Sequence, residues 1–293
     1  MTDSRLNITP LDCVFGAVVH DIEIRELSQQ QWAAIHEAWL EYGLLIFSGQ
    51  FLTRPEQDAF ALRFGALEFL AAPISNMTSD GEVVSDPNTD LIKSIRGNEG
   101  WHHDSTYMPV QAKGAVFTAE IVPTEGAATG FADMRAAYLA IDNETQEYLA
   151  TKQAFHSLYY SQGRSGYLPT KNADGGYDLY GYHQHDTPLR PLIKIHPDTG
   201  LPNLNIGRHA HDVVGMDPEE STVLIDKIND QAVSDPSRVY HHQWEVGDAV
   251  VWDNRRLMHR ATPFDIQEPR RMWHTRIAGD PDSEAALNHS SRA

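Results

Sequence analysis

A histidine and an aspartate two residues apart are the first candidates for chemistry in this sequence. His102 and Asp104 follow Trp101 just before a strand-like stretch, and in extended chain residues i and i+2 point to the same face. Their side chains can therefore project together, while that of His103 points away. The chain has 15 histidines, so such pairs also arise by chance, and His102 as an ordinary polar loop residue is the alternative interpretation.

A third metal ligand can come from the other end of the chain. Residues 247–255 have the pattern of a turn, a buried strand and a polar stop, and His259 follows shortly after. Two imidazoles and one carboxylate on one face of an octahedral ion leave three positions open, which suits non-haem Fe(II) taking a bidentate 2-oxo acid and O₂. Zinc would favour four ligands or a tetrahedral water site, for which this mixed set is less diagnostic.

An oxidative site that uses 2-oxoglutarate also needs an anchor for the distal carboxylate. Arginine is preferred there, because its planar fork meets a carboxylate through two bonds. Arg270 follows His259 by eleven residues and begins an alternating strand. Arg276 shares its face but lies ~20 Å further along an extended strand, so the two cannot easily hold one carboxylate. Arg271 points the other way and is predicted to be a surface charge.

The elements that must position these residues can be predicted from caps and periodicity. Capping boxes at Ser28 and Thr53 begin two helical stripes that end at Gly43 and Gly65, and Asp217 before a proline predicts a third helix to about residue 232. We therefore expect a single α+β domain over residues 1–293, mostly β, with a double-sheet barrel. The predicted strands cover residues 44–47, 115–122, 192–195, 249–252 and 270–278.

Composition excludes several classes of protein. Lys and Arg number 23 against 41 Asp and Glu, a formal charge of −18, which argues against binding nucleic acid or an anionic membrane. Cys13 is the only cysteine, so neither an intrachain disulfide nor a cysteine-built metal site is expected. There is no leader-like start and no apolar run near ~20 residues, which predicts a cytoplasmic protein. A homo-oligomer is the base-rate expectation.

Four motifs lie in order along the chain. They are W-H-x-D at residues 101–104, a G-x-T-x-F-like segment at 127–131, W-D-N-R-x-x-x-H at 252–259, and Arg270 beyond that histidine. In this order and with these gaps the sequence resembles the TauD/TfdA family of Fe(II)/2-oxoglutarate oxygenases over nearly its whole length. Ala127 stands where the family usually has glycine.

The resemblance implies a fold, a cofactor set and site residues. The implied fold is a double-stranded β-helix, or jelly-roll, with helices packed outside. His102, Asp104 and His259 would bind Fe(II), Arg270 would pair with 2-oxoglutarate, and Thr129 would donate its hydroxyl to the same carboxylate. The implied reaction consumes O₂ and 2-oxoglutarate, releases succinate and CO₂, and hydroxylates a small-molecule substrate.

Within the family, one branch is the closest in appearance. Residues 97–98, 104–110 and 131–138 most resemble the branch that cleaves phenoxypropionate and phenoxyacetate herbicides. Taurine-cleaving members carry a second arginine where this chain has His274, so taurine is not the expected substrate. Hydroxylation of a carbon that bears an ether oxygen would give a hemiacetal or hemiketal that collapses, which splits the aryl ether.

The charge of the substrate can be argued from the charge of the chain. At −18 overall, the protein accepts an anion only if local cations outweigh the far field inside the pocket. Lys93 and Arg208 are the candidates, and Tyr107 offers a hydroxyl or an aromatic wall. Loops at about 65–95 and 161–188, the second being the segment expected to form a long surface loop, would line the pocket. A small organic acid with an aryl or similarly apolar body is the predicted substrate.

Two alternatives remain open at this point. His209 and His211 form a second His-x-His pair, which in a cupin binds metal together with a nearby glutamate and a later histidine; Glu219 and Glu220, however, fall in a predicted helix. The other alternative is a non-catalytic jelly-roll that binds a small molecule. Motifs for serine hydrolysis, NTP hydrolysis and dinucleotide binding are absent from the sequence.

Overall fold

A computed structural model describes residues 6–177, 179–182 and 185–289. In it, helices lie on the outer sides of a β-rich core. No helix in these described ranges is long and apolar enough to cross a membrane. The helices are α1 (Gln29–Tyr42), α2 (Arg54–Leu62), α3 (Asp90–Gly97), α4 (Met134–Leu139), α5 (Asn143–Ala150), α6 (Leu158–Ser165), α7 (Pro218–Val233) and α8 (Pro281–Glu284).

The strands are short and are distributed over the whole chain. They are β1 (Asn7–Pro10), β2 (Ala17–His20), β3 (Leu44–Phe47), β4 (Leu67–Ser75), β5 (Gly114–Ile121), β6 (Thr129–Asp133), β7 (Gln153–His156), β8 (Leu189–Pro191), β9 (Ile193–Ile195), β10 (Pro202–Leu204), β11 (Ala210–Val213), β12 (Val239–His242), β13 (Ala249–Asp253), β14 (Leu257–Ala261) and β15 (Arg271–Ile277).

Two facing sheets enclose the central core. The larger has the order β1-β2-β3-β13-β5-β15-β4, and the smaller has the order β12-β6-β14. Buried side chains from both sheets meet between them, among them Phe117, Phe131, Trp252 and Leu257. Further short sheets, β11-β7-β8 and β10-β9, extend the structure. The architecture is the predicted jelly-roll, mostly β with flanking helices, because each sheet buries one face against the other.

The helices cover the outer faces of this core. α1 and α2 pack on the large sheet through Trp39 and Phe60, which join the buried face of Leu45 and Val251. On the other side α4 and α7 enclose a separate apolar cluster with the strands of the short sheets. Both faces of the large sheet are therefore buried, which explains why β3 and β13 are continuous apolar runs without alternation.

The predicted helix starts are confirmed by their caps. The backbone amide of Gln31 donates to Ser28 Oγ at 3.2 Å, and the backbone amide of Thr53 donates to Glu56 Oε2 at 2.8 Å. The helix capped by Asp217 runs to Val233, as expected. The second helix ends at Leu62, earlier than predicted, because its last residues tighten into i to i−3 bonds such as Phe64 to Ala61.

Two loop predictions need correction. The segment 65–95 contains β4 and most of α3, and β4 is an edge strand paired with β15. Six of its nine residues are half-buried, so no period of two marked it in the sequence. The segment 161–188 begins inside α6, whose N-cap is Ser157. The rest of that segment is irregular where it is described, and residues 178, 183 and 184 lie outside the described residues.

Candidate active site

Three side chains with metal-ligating atoms meet in the space between the two sheets. One ligand atom each from His102, Asp104 and His259 lies within 4.8 Å of the others, and all three residues are buried. Two backbone hydrogen bonds hold His102 beside His259. The His102 amide donates to His259 O at 3.0 Å, and the His259 amide donates to His102 O at 2.8 Å. The strand β14 therefore places both histidines in register.

The histidines are in the protonation state that metal binding requires. His102 Nδ1 lies 2.7 Å from Gly100 O, so this nitrogen carries the proton and Nε2 is left with its lone pair. Burial lowers the pKa of His102 to about 3 and that of His259 to about 4. Both imidazoles are neutral near pH 7, which leaves them ready to bind a cation.

The Asp104 carboxylate completes the donor set. Burial by itself would raise its pKa, but the Arg276 guanidinium outweighs that effect and holds the pKa well below its usual range. Its Oδ2 atom is buried without a hydrogen-bond partner and lies 3.6 Å from His259 Nε2. A buried, ionised oxygen beside two neutral imidazoles fits a divalent metal ion of the Fe(II) type.

Asn254, in the W-D-N-R motif, holds the aspartate's backbone. Its Oδ1 accepts the Asp104 amide at 2.7 Å, and its Nδ2 donates to Asp104 O at 3.0 Å and to Ala112 O at 2.8 Å. His103 Nδ1 lies 2.7 Å from Asn254 O, so His103 points away from the metal ligands, as predicted. One amide side chain thus links the two motifs that supply the ligands.

We expect Asn254→Ala to destabilise the protein by about 2–4 kcal/mol, because three buried backbone groups lose their partner. Equilibrium urea unfolding would measure the change. Asn7→Ala is the matched control, since its amide bonds only to an exposed carboxylate, and its effect should stay within about 0.5 kcal/mol. A similarly small effect at Asn254 would contradict its role in holding the motif.

Arg270 is a buried cation, and in the described residues its guanidinium is not paired with an anion. Its backbone amide donates to Asn76 Oδ1 at 2.8 Å, but within the described residues its guanidinium has no ion-pair partner and its Nε has no hydrogen-bond acceptor. Burial lowers its pKa to about 10. An unpaired buried guanidinium is costly, so this geometry fits an anionic group arriving from outside the chain.

Thr129 is the first residue of β6. It is buried and lines the same cavity. Its Oγ1 accepts a hydrogen bond from Trp244 Nε1 at 2.9 Å. Because the indole can only donate, the hydroxyl proton of Thr129 remains available for an acceptor in the cavity. Both residues predicted to hold 2-oxoglutarate, Thr129 and Arg270, therefore face the same space with donors to offer.

The cavity has a volume of about 520 Å³. The predicted alternation of the last strand is confirmed, since Arg270, His274 and Arg276 all reach the cavity, while Arg271 pairs with the half-exposed Glu120 outside it. Aromatic and apolar side chains form most of the remaining wall. These are Phe69, Ala72, Ile74, Phe117, Leu158, Tyr167, Leu179, Tyr180, Tyr182, Trp252 and Phe264.

The predicted substrate residues take different positions. Tyr107 is buried on the cavity wall, and burial raises its pKa to about 12. Lys93 forms an ion pair with Asp90 at 3.7 Å, and Arg208 donates to Gln162 Oε1 at 2.7 Å. Asp90 and Gln162 line the described cavity, whereas Lys93 and Arg208 stand one layer behind them.

The second histidine pair does not form a comparable centre. His209 lies on the cavity, with Nδ1 2.8 Å from Ser161 Oγ, but His211 stacks on Tyr160 and pairs with Asp212. In the described part of the chain, His102, Asp104 and His259 are the group that could hold a metal. The cupin-like arrangement is therefore not favoured.

Sequence reasoning missed several contacts at the site. It placed Arg276 on the correct face but did not foresee its bond to Asp104 Oδ1 at 2.7 Å. It also assigned no site role to Trp252, whose indole packs in the core and lines the cavity, stacked against His274 with ring centroids 5.8 Å apart. Tyr180 and Tyr182 carried no signal, because they lie in an irregular segment without periodicity.

Comparisons with known proteins agree with this geometry. The (S)-phenoxypropionate/alpha-ketoglutarate-dioxygenase of Sphingobium herbicidovorans is 56% identical over 284 residues, which cover 97% of this chain and 98% of that protein. The protein of the same name from Delftia acidovorans is 49% identical over 290 residues, covering 97% and 98%.

A solved structure and a family profile complete the comparison. The crystal structure of AAD-2 in complex with Mn(II) and N-oxalylglycine superposes with a TM-score of 0.87 at 31% identity, covering 97% of this chain and 99% of that one. Residues 7–277 match the family described as taurine catabolism dioxygenase TauD, TfdA family. With this match over most of its length, the chain belongs to the TauD/TfdA family of dioxygenases.

Proposed function

We propose that the protein is an Fe(II)- and 2-oxoglutarate-dependent dioxygenase that oxidatively cleaves small aryloxyalkanoic acids. The observation that carries this proposal is the presence, in one cavity, of a buried His-Asp-His set and a buried arginine without an anionic partner in the described structure. The two relatives above, named for phenoxypropionate and alpha-ketoglutarate, support the substrate class.

We assign the metal to His102, Asp104 and His259, whose donor atoms are already within reach of one ion. When bound there with 2-oxoglutarate, Fe(II) supplies the oxidising chemistry, in which O₂ gives one oxygen atom to succinate and one to the substrate while CO₂ leaves. The contribution of the chain is to hold three ligands on one face, so that three positions stay open.

We assign the distal carboxylate of 2-oxoglutarate to Arg270 and Thr129. The guanidinium offers a fork of N–H donors and the hydroxyl offers one more, all from a site that is shielded from water. Asn76 fixes the backbone of Arg270, and Trp244 fixes the hydroxyl of Thr129. Both donors are therefore oriented before the co-substrate arrives, which reduces the entropy cost of binding.

The apolar walls and the nearby cations define the substrate. Phe69, Phe117 and the tyrosines suit an aryl ring, while Gln162, polarised by Arg208 at 2.7 Å, provides a polar edge for a carboxylate. Hydroxylation at the carbon between the ether oxygen and the carboxylate would give a hemiketal or hemiacetal. Its collapse breaks the bond to the aryl oxygen, forms a carbonyl, and releases a phenol and a 2-oxo acid.

The activity can be tested with the purified protein, Fe(II) and 2-oxoglutarate. We expect phenoxypropionate or phenoxyacetate to yield phenol and succinate in about equal amounts after O₂ is admitted. Succinate formation that no aryloxy acid stimulates would contradict the substrate class. Preferential turnover of neutral or cationic compounds would show that the pocket does not select carboxylates.

We expect Arg208→Ala and Lys93→Ala to raise the KM for a phenoxyalkanoate by about a decade, because a carboxylate in the pocket would lose a nearby positive charge. The 2-oxoglutarate requirement should change far less. Steady-state kinetics with each substrate varied in turn would measure both. Lys227→Ala, on the exposed face of α7, is the control and should leave both values unchanged; equal shifts in all three variants would contradict this role.

We further propose that residues 1–293 form a single domain that acts in the cytoplasm as a homo-oligomer. A chain with one cysteine suits a reducing compartment, and symmetric association is common among enzymes of this size. Light scattering after size-exclusion chromatography would give the mass of the particle, and a mass equal to 32.9 kDa would contradict the oligomer.

A further inference from the structure

The two oxygens of the Asp104 carboxylate have different surroundings. Oδ1 accepts a hydrogen bond from Arg276 Nη2 at 2.7 Å, whereas Oδ2 has no hydrogen-bond partner. Oδ2 is the oxygen nearest to the imidazoles, 3.6 Å from His259 Nε2 and 3.5 Å from His274 Nε2. One oxygen is therefore occupied by the protein, and the other is left for a ligand.

Arg276 is fixed from several sides. Its Nη1 donates to Ser105 Oγ at 3.0 Å, and its guanidinium carbon lies 4.9 Å from the Phe69 ring and 5.3 Å from the Tyr180 ring. β15 stays in register with β5 from Met272 to Ile277, so Arg276 lies on the same face of the strand as His274. The fork is therefore locked in one orientation before any metal arrives.

Ser105 gives this arrangement a second anchor. It follows Asp104 directly, and its φ of 56° is in the left-handed region that L-residues rarely adopt. Its hydroxyl lies 3.1 Å from Glu68 Oε2 and 3.0 Å from Tyr180 OH. The strained backbone next to the metal ligand is thus held by the same guanidinium that holds the ligand.

We propose that Arg276 is a positioning residue that keeps Asp104 a one-oxygen ligand. By occupying Oδ1, the guanidinium prevents the carboxylate from chelating the metal through both oxygens. A chelating aspartate would fill one of the three open positions that a bidentate 2-oxo acid and O₂ require. Arg276 thereby preserves the vacancy on which the reaction depends. This inference rests on the proposed function, because it needs a metal at the triad.

If Arg276 acted only through its charge, the two variants Arg276→Lys and Arg276→Met would behave differently from what a positioning role predicts. A cation close to the metal repels it, so a role through charge alone predicts no change in Arg276→Lys and tighter metal binding in Arg276→Met. A positioning role predicts that both variants fail, because lysine keeps the charge but cannot hold Oδ1 and the Ser105 hydroxyl with one planar fork. The charge-conserving variant therefore separates the two roles.

The test uses the full chain loaded with Mn(II) and studied by electron paramagnetic resonance in ¹⁷O-enriched water. We expect about three exchangeable waters in the wild type, as the octahedral set implies, and about two in Arg276→Lys and Arg276→Met. Under anaerobic conditions with Fe(II), both variants should need about tenfold more 2-oxoglutarate to form the visible chelate band. Arg271→Lys, on the exposed side of the same strand, should match the wild type in both measurements.

The outcomes separate this inference from the proposed function. Wild-type protein that binds no Mn(II) would contradict the metal site itself. Wild-type binding with an unchanged water count and chelate band in Arg276→Lys would overturn the positioning role, and so would tighter metal binding with three waters in Arg276→Met. If neither variant folds, Ser105→Ala decides: the loss of one bond to the fork should raise the 2-oxoglutarate requirement about threefold, and an unchanged value would overturn the inference.

Discussion

Replacing His259 with alanine should abolish the visible band that the protein forms with Fe(II) and 2-oxoglutarate without O₂. Loss of an outer-shell partner already costs up to about 100-fold in metal affinity or activity, so loss of a direct ligand should cost more. His274 Nε2 lies 3.5 Å from Asp104 Oδ2, but in the described structure His274 does not form a second group of three ligand atoms with the remaining pair, His102 and Asp104. Turnover should fall with the band, since both depend on the same three ligands.

The same measurement distinguishes the two histidine pairs. His211→Ala should retain the band, because His211 stacks on Tyr160 away from the triad. Circular dichroism and thermal unfolding would show whether each variant has kept its fold. Retention of the band in His259→Ala, together with its loss in His209→Ala or His211→Ala, would favour a cupin-like metal centre instead.

The metal ligands were predictable from sequence because their geometry is local. His102 and Asp104 are two residues apart in extended chain, and His259 is tied to His102 by two backbone bonds. Asn254 sits in the same motif as His259 and binds the backbone of Asp104. A short motif thus contains both the ligands and the groups that hold them, which is why residue type and spacing carried so much information.

The wider pocket was less predictable because its contacts depend on side-chain reach between distant parts of the chain. The alternation of β15 placed Arg276 on the correct face, but its bond to Asp104 joins residues 172 positions apart, and no spacing rule indicates that contact. The side chain of Arg208, which stays a predicted substrate residue, bonds to Gln162 and Ser165, and the sequence does not indicate these partners. Such positions are decided by neighbours far apart in sequence, which periodicity does not reveal.

Arg270→Ala should raise the 2-oxoglutarate requirement by about two decades or more. In the variant, the distal carboxylate of the co-substrate would be buried without a charge partner, which costs about 3–5 kcal/mol. Arg276, on the same face of the strand, cannot take over easily, since its guanidinium is already held by Asp104 and Ser105. Titration of the chelate band with 2-oxoglutarate measures the effect directly, and the metal affinity without 2-oxoglutarate should stay unchanged.

The neighbouring arginine provides the matched control for this prediction. Arg271 is adjacent in sequence but points outward and pairs with Glu120 at 3.3 Å, a half-exposed contact that contributes little. Arg271→Ala should therefore shift the titration by less than about threefold. Equal defects in both variants would contradict the assignment of strand faces, and a larger defect in Arg271→Ala would move the anchor to that residue. The alternation of a single strand would then have to be reassigned, although the metal ligands on β14 and before β5 would be unaffected.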